Sequence, residues 1–119
     1  MKIVILNDEL RSEMQMYLAL SHRHDVQIAQ DVVDLMQLLE QEAADFTFVD
    51  LGSLPDSDED TVDGFALAKK ILQKHPRVKI VGICDHDDQK LQQRAAHHGI
   101  SDVITRPIKN RDLLGMIEG

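Results

Sequence analysis

The chain is short of aromatic residues, cysteine and positive charge, and each shortage closes off a class of function. Phe, Tyr and Trp together make up 3% of the 119 residues. Stacking platforms and base-flipping pockets need aromatic faces, so neither is expected here. Leu, Val, Ile, Met and Ala must fill the core instead. The one cysteine, Cys84, excludes an internal disulfide and any multi-cysteine metal centre. Lys and Arg number 13 against 21 Asp and Glu, a formal net charge of -8. That balance repels a phosphate backbone and an anionic membrane surface, so no direct nucleic-acid binding and no membrane contact is expected. The apolar run Ile3 to Leu6 near the N-terminus is too short for a signal peptide or a membrane span, and a cytoplasmic location is expected. There is no internal repeat, low-complexity segment or linker, and the length is that of one domain, residues 1–119.

What is present is an alternation of short apolar runs and helical patterns. Lys2 to Leu6 reads as a central strand covered on both faces. Helix one follows from Glu9 to Leu20, with Leu10, Met14, Tyr17 and Leu18 on one face, expected to point inward. Asp25 to Ala29 alternates like an edge strand. Asp31 is a good N-cap for helix two, which carries Val32, Leu35, Met36, Leu39 and Ala43 on one stripe. Phe46 to Asp50 is the third strand, and Leu51 to Val62 a long loop rich in acids (Asp56, Asp58, Glu59, Asp60). Helix three opens at Asp63-Gly64 and runs to about His75, just before Pro76, with Phe65, Ala68, Ile71 and Leu72 inward. Lys79 to Cys84 is the fourth strand. Asp85 is expected to cap a largely polar helix four that stops at Gly99, with Leu91, Ala95 and Ala96 inward. Ser101 to Thr105 is the fifth strand, and a short helix with Leu113, Leu114 and Ile117 closes the chain.

Five strands alternating with five helices predict an α/β fold: a flavodoxin-like (βα)5 doubly wound parallel sheet in strand order 2-1-3-4-5, with right-handed crossovers. In such a sheet ligands bind at the carboxyl ends of the strands, beside the switch point. Strands one and three end there on Asn7-Asp8 and Asp50. Two acids delivered to one edge suggest a hard metal ion or a phosphoryl site. A nucleotide or flavin binder is disfavoured, because Asn7-Asp8-Glu9-Leu10 holds no glycine.

Taken together, Asn7-Asp8-Glu9, Phe48-Val49-Asp50, Pro55, Asp63-Gly64-Phe65, Gly99 and Arg106-Pro107 resemble the receiver domain of two-component response regulators, in order and over the whole chain. From Cys84 through Gly99 to Arg106-Pro107 the spacing fits the family without a gap. The resemblance implies transfer of a phosphoryl group from a histidine kinase or a histidine phosphotransfer protein onto Asp50, with at most self-phosphorylation and self-dephosphorylation as enzymatic chemistry. It implies Mg²⁺ held by Asp8, Asp50, the backbone carbonyl of Gly52 and, through water, Asn7. Cys84 stands where the family has a Thr or Ser hydroxyl, and a thiol is a weaker donor. Arg106 stands for the family's lysine, followed by what is a cis bond in the family, and Val103 for its aromatic switch residue. Asn7 replaces the first member of an acidic pair. The loop after Asp50 is about six residues longer than the family's. The tail from Lys109 to Gly119 is shorter than the family's last helix, so a receiver at the N-terminal part of a longer protein, with a linked output domain, is expected. A homodimer through the helix four and strand five surface (His97, His98, Asp102, Arg111) is a further expectation. The alternative is a degenerate receiver that acts as a phosphorylation-independent protein-interaction module; Asn7, Cys84, Val103 and the acidic loop point that way.

Overall fold

The computed structural model describes residues 1–7, 9–55 and 61–118. The chain runs β1 (Lys2–Leu6), α1 (Leu10–Leu20), β2 (Asp25–Ile28), α2 (Val32–Gln41), β3 (Phe46–Asp50), β4 (Ser53–Pro55), β5 (Thr61–Asp63), α3 (Gly64–Lys74), β6 (Lys79–Asp85), α4 (Gln89–Ala95), a 3-10 turn (Ala96–His98), β7 (Asp102–Arg106) and α5 (Asn110–Glu118). Five strands form one parallel sheet in the order β2-β1-β3-β6-β7. Setting aside the small β4–β5 pair, this is the expected order 2-1-3-4-5, and the fold is flavodoxin-like.

The alternation of side chains along each strand divides the core between the two faces. Ile3, Ile5, Phe46, Phe48, Val81 and Ile83 face α1 and α5, where Met16, Leu20, Leu113 and Ile117 cover them. Val4, Leu6, Val49 and Ile80 face the other way, under Leu35 and Leu39 of α2 and Phe65, Ala68 and Ile71 of α3. Because β1 and β3 are covered on both faces, all five residues of each are buried. Asp31 caps α2 by accepting from the Asp34 amide at 2.7 Å, and Asp63 caps α3 by accepting from the Phe65 amide at 2.7 Å. Gly99 ends the fourth helical segment in the left-handed region, φ 75°.

Several expectations need correcting. The inward face of α1 is Ser12, Met16 and Leu20, while Leu10, Met14, Tyr17 and Leu18 lie exposed. Apolar residues run almost all round this helix, so periodicity alone cannot choose between two stripes. The tie to α5 decides it: the Gln15 amide donates to the Ile108 carbonyl and to Asn110 Oδ1. The segment after Asp50 is not an open loop, since Ser53–Pro55 and Thr61–Asp63 pair antiparallel. Helix α2 stops at Gln41, which leaves Ala43 outside its stripe and exposed. Helix α4 is capped by Asp88, whose side chain accepts from the Leu91 amide at 3.3 Å, and not by Asp85. Asp85 ends β6 instead. Ala96 is exposed; Leu91 is half-buried and Ala95 buried. Strand β7 runs one residue further along the chain than expected, through Arg106, because the ladder with β6 pairs Asp85 with Arg106. No helix among the described residues is long and apolar enough to cross a membrane.

Candidate functional site

Three strand ends build the site at the carboxyl edge of the sheet. Strand β3 sits between β1 and β6 and delivers Asp50 at its last residue. Leu6 pairs with Val49, so Asn7 follows β1 at the level of Asp50. Strand β7 delivers Arg106 opposite Asp85. The Arg106-Pro107 bond is cis.

Asp50 is a charged residue only 4% exposed, so its carboxylate needs partners inside the protein. Oδ1 accepts the Gly52 amide at 2.9 Å, and Oδ2 accepts Arg106 Nη1 at 2.9 Å. The same nitrogen donates to Asn7 Oδ1 at 3.0 Å. Arg106 Nε donates to Asp85 Oδ1 at 2.9 Å, with Glu9 Oε2 further off at 3.7 Å. Asn7 is fixed in turn by donating Nδ2 to the Glu9 carbonyl at 3.2 Å. Burial works against the Arg106 cation, but its hydrogen bond to Asp50 and the charges of Asp50 and Asp85 outweigh that and raise its pKa above the usual arginine value. The site is thus a buried carboxylate joined to a permanent cation, with a second carboxylate on the cation's other edge.

Of the residues singled out from the sequence, Asn7, Asp50, Gly52 and Arg106 come together. The Gly52 amide touches Asp50, while its carbonyl accepts the Gly64 amide at 3.1 Å. Asp8 lies outside the described residues, as do Asp56, Asp58, Glu59 and Asp60. Cys84 is 1% exposed and belongs to the apolar layer with Leu6, Val49 and Phe65, with half-buried Val103 packed against the same layer. Burial and then the charge of Asp88, with smaller contributions from Asp85 and Asp50, push its thiol up to about 11 against the opposing charge of Arg106. Two contacts were missed from the sequence: Asp85, expected only as a helix cap, and Glu9. The signal was available for Asp85, since an acid directly after the strand-end Cys84 and a cation at the end of the neighbouring strand must lie side by side.

The oxygen donors of Asp50, Asn7 and Gly52 suit a hard cation, which prefers one or two carboxylates plus waters. Among the described residues no three His, Cys, Asp or Glu side chains converge on a metal position. Arg106 holds Asp50 Oδ2 and Asn7 Oδ1, two of the oxygens a cation would use.

A family model described as the response regulator receiver domain matches residues 3–118. Among solved structures, NtrX from Brucella abortus is 26% identical with a TM-score of 0.87; the match covers 98% of this chain and 25% of that one. The chain therefore spans about a quarter of that NtrX chain. The receiver domain of NtrX from Brucella abortus is 25% identical with a TM-score of 0.86, over 98% of this chain and 94% of that one. A CheY-like response regulator receiver domain protein from Methanospirillum hungatei is 22% identical, TM-score 0.82, covering 98% and 90%, and speaks to the fold alone. No curated protein matches the chain.

Proposed function

Since this chain belongs to the response regulator receiver family, we propose that it accepts a phosphoryl group on Asp50 from a histidine kinase or a histidine phosphotransfer protein. The observation that carries the reading is the Asp50 carboxylate: almost wholly buried at the end of the central strand, yet hydrogen-bonded to one backbone amide and one guanidinium. In the transfer, an Asp50 oxygen forms a bond to phosphorus while the bond from phosphorus to the donor histidine nitrogen breaks, and the released imidazole takes a proton from water. The anionic charge at Asp50 rises, and Arg106 stands 2.9 Å away to meet it. Positioned charge of this kind does most of the work in phosphoryl transfer. The Gly52 amide steadies the carboxylate.

Receiver domains generally bind Mg²⁺. Here Asp50, the Gly52 carbonyl and Asn7 through water, with Asp8, are the residues we assign to it. When bound, the ion supplies the neutralisation of the phosphoryl oxygens. Because Arg106 already holds Asp50 and Asn7, metal and guanidinium compete for these oxygens, and weak Mg²⁺ binding is expected. Cys84, buried and protonated, replaces the family's hydroxyl with a poorer donor, and half-buried Val103 cannot swing as an aromatic ring does, so the switch is atypical.

The exposed apolar stripe of Leu10, Met14, Tyr17 and Leu18 on α1, which begins directly after Glu9, supports docking of a protein phosphodonor. It equally favours the second reading, a phosphorylation-independent interaction module. The NtrX likeness supports a linked output domain. His97 and His98 of the 3-10 turn, Asp102 of β7 and Arg111 of α5 are all exposed and remain the surface proposed for a homodimer.

The deciding test is acetyl phosphate with and without Mg²⁺, read by intact mass, with Asp50→Asn as control. The expected result is a Mg²⁺-dependent gain of one phosphoryl group that the control lacks. No adduct in the native chain, with partner binding retained, would replace this reading by the interaction module.

A further inference from the structure

We propose that Asp85 is a positioning residue that anchors the Nε edge of Arg106 and so aims its Nη1 at the phosphoryl position on Asp50. The inference deepens the acceptor reading and rests on it.

The geometry begins with the sheet. Asp85 and Arg106 are register partners at the last rung of β6 and β7. The His86 amide donates to the Arg106 carbonyl at 3.2 Å, so the two backbones stay paired one step beyond the strands. Both side chains therefore leave fixed points side by side. A lysine in place of Arg106 would bring one nitrogen, a point charge that any nearby oxygen can satisfy. A guanidinium is a rigid plane, and where one edge points depends on what holds the other. Asp85 Oδ1 takes Nε at 2.9 Å, and Nη1 is then 2.9 Å from Asp50 Oδ2 and 3.0 Å from Asn7 Oδ1. Among the described residues Glu9 is the other acid near Nε, but its Oε2 is 3.7 Å away, and its Oε1 is held by the Ser12 hydroxyl at 2.7 Å.

The Asp85 side chain is 63% exposed. Its pairing therefore contributes little to stability, as exposed ion pairs generally do, and its effect is on direction. No bond at Asp85 forms or breaks during transfer. When Asp50 carries the phosphoryl group, the guanidinium stays anchored through Nε and presents its Nη groups to the new oxygens, the geometry in which arginine binds phosphate well. An acid on this rung is what makes an arginine usable at this position.

Asp85 could act instead by repelling an anionic donor, and two substitutions separate the alternatives. Asp85→Ala removes both charge and acceptor. Asp85→Asn removes the charge but keeps an oxygen that accepts from Nε. Single-turnover phosphorylation by acetyl phosphate with Mg²⁺ is expected to slow about tenfold in Asp85→Ala, the scale of a modest misplacement, and to stay within about twofold of the native rate in Asp85→Asn. The Arg106 Nε–H resonance gives a readout that needs no phosphoryl group. Slow solvent exchange is expected in the native chain and in Asp85→Asn, and fast exchange in Asp85→Ala, with far-UV circular dichroism unchanged in all three. Native phosphorylation at an unchanged rate in Asp85→Ala, or acceleration in both variants, overturns the positioning role while leaving Asp50 as acceptor. No adduct on the native chain overturns the acceptor reading, and the role of Asp85 falls with it, whatever the resonance shows.

Discussion

The two ends of the sheet carry the same motif to different effect. At the amino end, Lys2 is buried, and its ammonium meets Glu42 at 2.8 Å and Asp25 at 3.4 Å. At the carboxyl end, Arg106 is nearly buried and meets Asp50 and Asp85, each at 2.9 Å. Among the described residues each cation thus has two carboxylates within hydrogen-bond reach, with Glu9 further off from Arg106 at 3.7 Å, but the burial of the acids differs. Glu42 and Asp25 have side chains 63% and 62% exposed, so water can take over either charge. The Asp50 side chain is 6% exposed and has no such alternative. The amino-end cluster closes the edge of the fold. The carboxyl-end cluster keeps a charge where the protein would otherwise not tolerate one, which is a condition for using it.

The largest test removes each cation. Arg106→Met strands the buried Asp50 carboxylate, and losing one partner of a buried pair costs about 3 kcal/mol. Lys2→Met leaves only exposed acids behind, and its loss is expected below about 1 kcal/mol. Urea unfolding at neutral pH measures both. Asp50→Asn added to Arg106→Met should return most of the stability, because the stranded charge is then gone. Equal losses from the two methionine variants would erase the distinction between the ends.

Backbone closeness sharpens the same contrast. A Cβ on Gly64 would stand 2.2 Å from the Asp50 carbonyl oxygen and 2.7 Å from Leu51 Cα, both backbone atoms that cannot rotate aside. Gly64→Ala is therefore expected to cost about 2 kcal/mol through overpacking and to displace Asp50. Gly115 in α5 has open space around the same position. Gly115→Ala should stabilise by about 0.5–1 kcal/mol through helix propensity. A Gly64→Ala variant as stable as the native chain would mean that β3 and α3 can separate, and that the carboxyl end is less firmly built than the contact implies.

Much of this layout was legible in the sequence because the relevant patterns are local. The central strands are short apolar runs ending on acids, and the caps at Asp31 and Asp63 are one-residue signals. The face of α1 was not legible: apolar residues surround it, and the choice is made by α5, far along the chain. The strand pair inside residues 51–63 was hidden by its acidic composition, since pairing there is decided by backbone and not by an apolar pattern. Asp50 and Asn7 were found because strand order brings strand ends together, and Arg106 because it stands in the place of the lysine of the family the chain resembles. Asp85 was read as a helix cap because that is the commonest use of an Asp after a strand, and only the register with Arg106 shows the competing partner.

The smallest expected effect concerns where the charged carboxyl-end cluster stops. Cys84 precedes Asp85 directly, and a thiol there could belong to the reactive set or to the core. Burial and the neighbouring carboxylates raise its pKa from 9.0 to about 11. A reactive cysteine shows the opposite shift. The folded state therefore holds the thiol proton more tightly than the unfolded chain does. That contribution to stability is complete below about pH 9 and is lost as the pH rises toward about 11, because the unfolded chain ionises first. The difference in unfolding free energy between the native chain and Cys84→Ala, followed from pH 8 to pH 11, isolates it from the lysines that titrate in the same range. At pH 8 a thiol reagent should modify native Cys84 far more slowly than the urea-unfolded chain. Equal rates would place Cys84 with Asp50 and Arg106; slow modification draws the boundary between residues 84 and 85, with the core on one side and the charged site on the other.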